Sequence, residues 1–275
     1  MKPGMHRGTS SFRLLLGALL ALAVPWWWAR LRVEQLQDPA VLTGWWLFAT
    51  MLFLAAFTAR KKLSVIPLGS AAAWLRWHVV GGFLTLALFW LHTGSLWPTG
   101  LYEQALAGMF YLLNLTGILG WLLQRTYPRM LADTGNEIIF ERIPAEIARL
   151  RTAAEAAVMT CVQETGAETL SRHYVETLHW FFRRPRFFAS HAFLGSKQAR
   201  AWVRQQCEPV RRYLGEAERA HLDRLTALAE RKLDVDFHYF AQLLMKSWLL
   251  LHLPLAAIVV LLALWHLALI HIYAL

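Results

Sequence analysis

Five long apolar runs constrain what this chain can fold into more than any other feature of its sequence. They cover about residues 14–29, 41–59, 71–92, 105–123 and 247–273 of the 275. A helix of roughly 20 apolar residues is long enough to cross a bilayer, and it satisfies its own backbone hydrogen bonds in lipid. The runs therefore predict an all-α fold, a membrane bundle of five transmembrane helices.

The polar stretch between the fourth and fifth runs predicts a separate domain. Residues 125–242 are rich in Ala, Leu, Glu and Arg with helical periodicity, which predicts a helical insert between helices 4 and 5. The expected division is 1–124 for the first four transmembrane helices, 125–242 for the insert and 243–275 for the fifth. No Gly or Pro separates Leu233 from Trp248, so the last helix of the insert should continue into the fifth span.

The distribution of basic residues predicts the topology. The segments 1–13, 60–76 and 125–246 hold 26 of the 28 lysines and arginines, and only Arg30 and Arg32 fall on the other side. The positive-inside rule makes the first set cytoplasmic, with the C-terminus periplasmic and a bacterial inner membrane as the expected location. The net charge of +10 then reflects topology and attraction to lipid headgroups, and no nucleic acid partner is expected.

The N-terminus resembles a signal peptide, with basic residues before an apolar run. Pro25 and three tryptophans (26–28) follow where small residues of a cleavage site would be expected. Tryptophans are typical of the membrane interface. We therefore expect a retained first helix, with cleavage as the alternative.

Four histidines inside the apolar runs share one spacing. His78 and His92 lie fourteen residues apart in the third run, and His252 and His266 lie fourteen apart in the fifth. Fourteen helical steps return to nearly the same face with a rise of about 21 Å. The third and fifth helices should run in the same direction, which predicts an inner pair, His78 with His252, and an outer pair, His92 with His266.

Paired imidazoles at membrane depth favour two haem irons, because polar side chains in lipid are costly and usually functional. Two imidazoles per iron leave no open position, which suits electron transfer. A metal-transport path is disfavoured, since residues 74–94 and 247–275 contain no Asp, Glu or Cys. Gly81 and Gly82 indicate either room for a flat macrocycle or close helix packing, and Pro254 should loosen or kink the fifth helix.

Several other residues have assignments of their own. His271 lies off the histidine stripe and is either an interfacial residue or a contact for a quinone or a haem propionate. His238 precedes His252 by fourteen residues, but Ser64 stands where its partner would be, so no third haem is expected.

We expect Cys161 and Cys207 to be ordinary packed thiols. The aromatic and basic stretch 181–188 predicts either a contact with anionic groups or an amphipathic turn. The remaining histidines have no shared metal-binding spacing: His173, His179, His191 and His221.

The two His-x13-His helices resemble the core of cytochrome b in the quinol–cytochrome c reductases. Their placement on helices three and five is similar to the transmembrane domain of ferric reductases and NADPH oxidases. The resemblance implies two haem b groups, with His78 and His252 on the inner iron and His92 and His266 on the outer iron. The chain departs from both families, since it shows no quinol-site motif and no flavin or nicotinamide module, and it carries an insert of about 115 residues.

These observations predict a dihaem b-type electron-transfer subunit of an oxidoreductase complex. It would connect the quinone pool, or a cytoplasmic donor, with a redox partner on the outer face such as a c-type cytochrome. Quinone is a candidate ligand, although no acid/base pair for quinol oxidation is visible in the sequence. The alternative is a membrane anchor or scaffold whose helical insert binds a cytoplasmic partner, with the histidines as packing residues.

Overall fold

All regular structure in the described part of the chain is helical. The computed structural model describes residues 6–59, 70–132, 134, 138–194 and 197–273. Four helices in these ranges are long and apolar enough to cross a membrane: Ala40–Phe57, Ala71–Thr93, Leu101–Ala132 and Glu216–Tyr273. The predicted all-α class is confirmed, and by helix length and composition the chain is an integral membrane protein.

The chain divides into two compact units. The first comprises Met1–Leu122 and Trp248–Leu275, and the second comprises Leu123–Ser247. The helices of the first unit are α1 (His6–Glu34), α2 (Ala40–Ala59), α3 (Ala71–Thr93), most of α4 (Leu101–Ala132) and the C-terminal part of α10 (Glu216–Tyr273).

The ends of α3 show why the helix begins and stops where it does. The Ser70 side chain accepts a hydrogen bond from the Ala73 backbone N–H, which caps the first turn. At the other end Gly94 has φ +63° and its N–H bonds the Trp90 carbonyl, a left-handed termination that glycine adopts without strain. The 23 residues between these caps carry His78 about two turns inside the helix and His92 in its last turn.

Helices α1, α2 and α3 pack closely against one another in the first unit. A buried apolar cluster fills the middle of the unit: Leu47, Leu88, Phe89, Ala107, Phe110 and Val259.

The second unit has its own hydrophobic core. Its helices are α5 (Ile143–Thr165), α6 (Thr169–His173), α7 (His179–Arg183), α8 (Phe188–Leu194), α9 (Lys197–Val210) and the charged N-terminal part of α10, with a π-helical turn at Tyr174–Leu178. Cys161 and Cys207 are free thiols buried in this core, as the sequence predicted. Phe181 and Phe182 are fully buried there as well, so the aromatic residues that begin the stretch 181–188 serve packing.

Helix α10 confirms one sequence prediction and qualifies another. It continues without a break from the insert into the last apolar run, as the absence of Gly and Pro between Leu233 and Trp248 indicated. It also passes through Pro254 without a break, so the expected loosening there does not interrupt the helix. Several residues that carried sequence arguments lie outside the described residues: Arg60, Lys61, Lys62 and Ser64.

Candidate functional site: two histidine pairs

The four intramembrane histidines form two pairs between α3 and α10. The ring centroids of His78 and His252 are 6.4 Å apart, with an interplanar angle of 74°. The ring centroids of His92 and His266 are 6.3 Å apart, with an interplanar angle of 86°. The structure therefore brings together the same residues that the spacing and the parallel helix directions paired.

The separation of the rings can be compared with that of two imidazoles on one metal ion. With a metal–nitrogen bond of about 2 Å on each side, the two ring centres lie about 6.3 Å apart. Both pairs match this distance. Rings in direct edge-on contact also have centroids about 4.5–7 Å apart. What distinguishes these pairs is that they recur at two levels of the same two helices.

A hydrogen bond to α2 determines the tautomer of His92. Its Nδ1 atom lies 2.9 Å from the Ala40 carbonyl oxygen, and a carbonyl only accepts, so Nδ1 carries the proton. The lone pair is then on Nε2 and is available to a metal. Gly44 allows this arrangement, because a Cβ atom there would lie 2.9 Å from Cε1 of His92.

A threonine on α4 performs the same task for His252. The Thr116 hydroxyl donates to the Leu113 carbonyl at 2.8 Å, so its oxygen accepts the hydrogen bond from Nδ1 of His252 at 2.9 Å. This again leaves the Nε2 lone pair of His252 available. Trp248 stacks on the imidazole at 5.3 Å between centroids and donates its indole N–H to the Thr116 carbonyl at 2.7 Å.

The other member of each pair is held by an aromatic ring. The His78 ring lies against Phe57 at 5.1 Å between centroids, and its buried Nδ1 makes no hydrogen bond of normal geometry, although the Leu54 backbone faces the ring. The His266 ring stacks on Tyr102 at 6.1 Å and 17°. Each pair thus combines one histidine with a hydrogen-bonded Nδ1 and one that lies against an aromatic ring.

The two glycines after His78 have different surroundings. A Cβ atom at Gly81 would come within 2.6 Å of the Leu54 side chain, so Gly81 permits close packing of α2 on α3. A Cβ atom at Gly82 would meet nothing within 4 Å, although the residue lies one turn after His78 on nearly the same face. The open space beside Gly82 suits a flat macrocycle next to the His78 imidazole.

Buried residues separate the two pairs. Thr85 lies seven residues after His78 and seven before His92, and Val259 lies halfway between His252 and His266. Thr85 and Val259 are both buried. A layer of protein therefore divides the unit into an inner and an outer site, each with two imidazoles.

The coordination chemistry limits what two imidazoles can hold. No group of three or more His, Cys, Asp or Glu side chains suited to a metal ion occurs in the parts of the chain that the structure describes. A protein zinc site needs three or four such ligands. Haem iron needs only its axial ligands from the protein. The donor set at each pair therefore fits haem.

The remaining histidines lie apart from these pairs. His271 is exposed, its Nδ1 donates to the Leu267 carbonyl at 2.9 Å, and its ring meets Trp45 edge-on. In the second unit, His238 is buried and bonds the Thr134 hydroxyl through Nε2 at 2.9 Å. His221 bonds Glu164 at 2.9 Å.

Sequence reasoning missed the residues that orient the imidazoles. Ala40, Gly44 and Thr116 lie on helices without histidine, and Tyr102 lies at the start of α4. A threonine inside an apolar run is the only available signal. Threonine occurs at several positions in the apolar runs, so its presence does not identify the threonine that contacts a histidine.

The fold and the site define an all-helical membrane protein with two stacked bis-histidine sites. No family model, no curated protein and no solved structure matches this chain.

Proposed function

We propose that this protein is a dihaem b-type cytochrome subunit that transfers electrons across the membrane. The observation that carries the proposal is the pairing of four histidines at two levels of the same two helices, with ring centroids 6.4 Å and 6.3 Å apart.

The protein supplies ligands and orientation. Nε2 of His92 and of His252 bears the lone pair, because Nδ1 of each ring donates to a fixed oxygen. His78 and His266 face them from the opposite helix. Bis-imidazole haem iron changes oxidation state without an open coordination position, which is the chemistry of an electron carrier.

The proposal includes a topology of five transmembrane helices. Helix α1 has 29 residues, which is enough to span a bilayer, and its tryptophans 26–28 are exposed as expected for the membrane interface. With the positive-inside assignment, the N-terminus and the second unit are cytoplasmic and the C-terminus is periplasmic in a bacterial inner membrane. The inner pair then exchanges electrons with the quinone pool or a cytoplasmic donor. The outer pair exchanges them with a redox partner such as a c-type cytochrome.

The test is haem quantification on the purified full chain. Pyridine haemochrome analysis should give two haem b groups per chain. The double variant His78→Ala, His252→Ala should retain about half of the pigment, and so should His92→Ala, His266→Ala. The matched control is His271→Ala, which removes an exposed histidine from the same helix and should retain both groups.

A well-folded chain with no b-type absorption would contradict the proposal. It would favour the alternative of a membrane anchor whose second unit binds a cytoplasmic partner. Equal pigment in His271→Ala and in the paired variants would contradict the assignment of ligands.

A further inference from the structure

The Thr116 hydroxyl is the side-chain group that binds an imidazole nitrogen of the inner pair. Its oxygen lies 2.9 Å from Nδ1 of His252, and its own proton is directed to the Leu113 carbonyl at 2.8 Å. The direction of the hydrogen bond is therefore determined, from the imidazole to the threonine. Thr116 is 5% exposed, so water does not compete for this bond.

The same residue also determines how the His252 ring is stacked. Trp248 lies one turn before His252 on α10 and donates its indole N–H to the Thr116 carbonyl at 2.7 Å. Its ring lies at 23° to the imidazole. Gly120 makes room for this indole, since a Cβ atom there would overlap it. Thr116 thus holds His252 directly through its hydroxyl and indirectly through Trp248.

The two pairs differ in the chemical nature of this contact. At the outer pair the nearer acceptor for His92 is the Ala40 backbone carbonyl at 2.9 Å, which no side-chain substitution removes, and the Thr43 hydroxyl lies farther from Nδ1 at 3.4 Å. At the inner pair the acceptor for His252 belongs to the Thr116 side chain, whereas the facing His78 ring meets the Leu54 backbone. Thr116 is therefore the side chain through which the orientation of His252 can be altered by substitution.

A hydrogen bond accepted from Nδ1–H increases the electron density at Nε2 and makes the imidazole a stronger donor to iron. A stronger donor favours the oxidised iron, which carries more positive charge. We infer that Thr116 is a positioning residue that lowers the reduction potential of the inner haem relative to an inner site without this bond. The inference rests on the proposed dihaem function.

The test compares Thr116→Val with Thr116→Ser by potentiometric titration of the purified full chain. Valine keeps the shape of threonine and removes the hydrogen-bond acceptor. The reduction potential of the inner haem (the inner potential) should therefore rise, while that of the outer haem (the outer potential) stays constant. We expect a several-fold shift toward reduced inner haem at a fixed ambient potential, up to about tenfold, which is about 59 mV for a one-electron couple. Serine should restore the wild-type value.

The control is Thr50→Val on α2. The Thr50 hydroxyl also donates to a carbonyl of its own helix, that of Trp46 at 2.8 Å. The substitution should leave the reduction potentials of both haems unchanged. The inner potential is the one that disappears in the double variant His78→Ala, His252→Ala. Loss of the inner haem in Thr116→Val alone, with both groups present in Thr116→Ser and Thr50→Val, would also support the positioning role.

Two haems with unchanged potentials in Thr116→Val would overturn the inference and leave the proposed function intact. Equal effects of Thr116→Val and Thr50→Val would overturn it as well. A wild-type chain without haem would defeat the proposed function itself, and this inference with it.

Discussion

The Nδ1 atom of His92 lies 2.9 Å from the carbonyl oxygen of Ala40, the first residue of α2. This bond joins a ligand candidate on α3 to the end of a helix that contains no histidine. Gly44, one turn later on α2, leaves the space in which the imidazole lies. Helix α2 therefore orients the outer site without contributing a ligand to it.

Replacing Gly44 by alanine should disturb the outer haem. The new Cβ atom would stand 2.9 Å from Cε1 and 3.2 Å from Nδ1 of His92, so the ring must move and its bond to Ala40 must lengthen. Loss of such an orienting contact typically lowers affinity by roughly 10–100-fold. Haem content and the outer potential of the purified variant are the measurements.

Gly117→Ala is the matched control, because its Cβ atom would lie at an ordinary 3.7 Å from Cε1 of His252. It should retain both haems. Equal haem loss in the two variants would contradict the steric explanation.

The two glycines after His78 should respond differently to substitution. Gly82→Leu fills the open space beside His78 and should reduce inner haem content with little change in the thermal stability of the haem-free chain. Gly81→Ala presses on the Leu54 side chain at 2.6 Å and should cost about 1–3 kcal/mol of stability while keeping both haems. Haem quantification and thermal unfolding in detergent distinguish these outcomes. A Gly82→Leu chain with full pigment would count against a macrocycle at this position.

The buried ion pair of the second unit should affect stability most when only one of its two charges is removed. Lys232 and Asp236 are both fully buried and lie 2.6 Å apart. The ammonium also donates to the Arg184 carbonyl at 2.9 Å, and the carboxylate accepts from the Arg186 N–H at 3.2 Å. Lys232→Met leaves an unpaired buried carboxylate, at an expected cost of about 3–5 kcal/mol.

The double variant Lys232→Met, Asp236→Leu should lose less stability than the sum of the two single variants, since neither charge remains unpaired. Denaturant unfolding of the full chain in detergent provides the double-mutant cycle. Strictly additive losses would show that the two side chains act independently.

His191 should make the second unit less stable as the pH falls from about 6.5 to about 4. Burial, and then the nearby Lys232 charge, lower the pKa of His191 to about 4, against a smaller opposing contribution from the Arg186 backbone. In this window the unfolded chain binds a proton that the native chain does not, so stability falls as the pH falls. The maximal loss from this residue is about 3 kcal/mol.

His191→Phe fits the aromatic surroundings of Phe237 and Phe240 and removes this contribution. Burial raises the pKa of Asp236 to about 7. The resulting contribution to stability increases as the pH falls, opposite to that of His191, and it is present in both wild type and variant. The difference between wild type and variant across pH 4–6.5 therefore isolates His191. Parallel stability curves would contradict the assignment.

The hydrophobic pattern and the histidine spacing were sufficient for much of the architecture. Apolar runs long enough to span lipid predicted the all-α class, and a helix period of 3.6 residues placed His78 and His92 on one stripe of α3. The equal spacing on α10 predicted the pairing that the ring distances show. Continuity of α10 also followed from sequence, because Gly and Pro are absent where the insert meets the last run.

Only the tertiary structure decided which residues orient the imidazoles. Thr43, Thr50, Thr85 and Thr116 all occur in apolar helices, and nothing local distinguishes the one that accepts from His252. Gly81 and Gly82 are adjacent in sequence, yet Leu54 fills the space at one and nothing does so at the other. The physical reason is that helical periodicity fixes the face of a residue on its own helix, whereas the rotation and separation of neighbouring helices determine what that face meets.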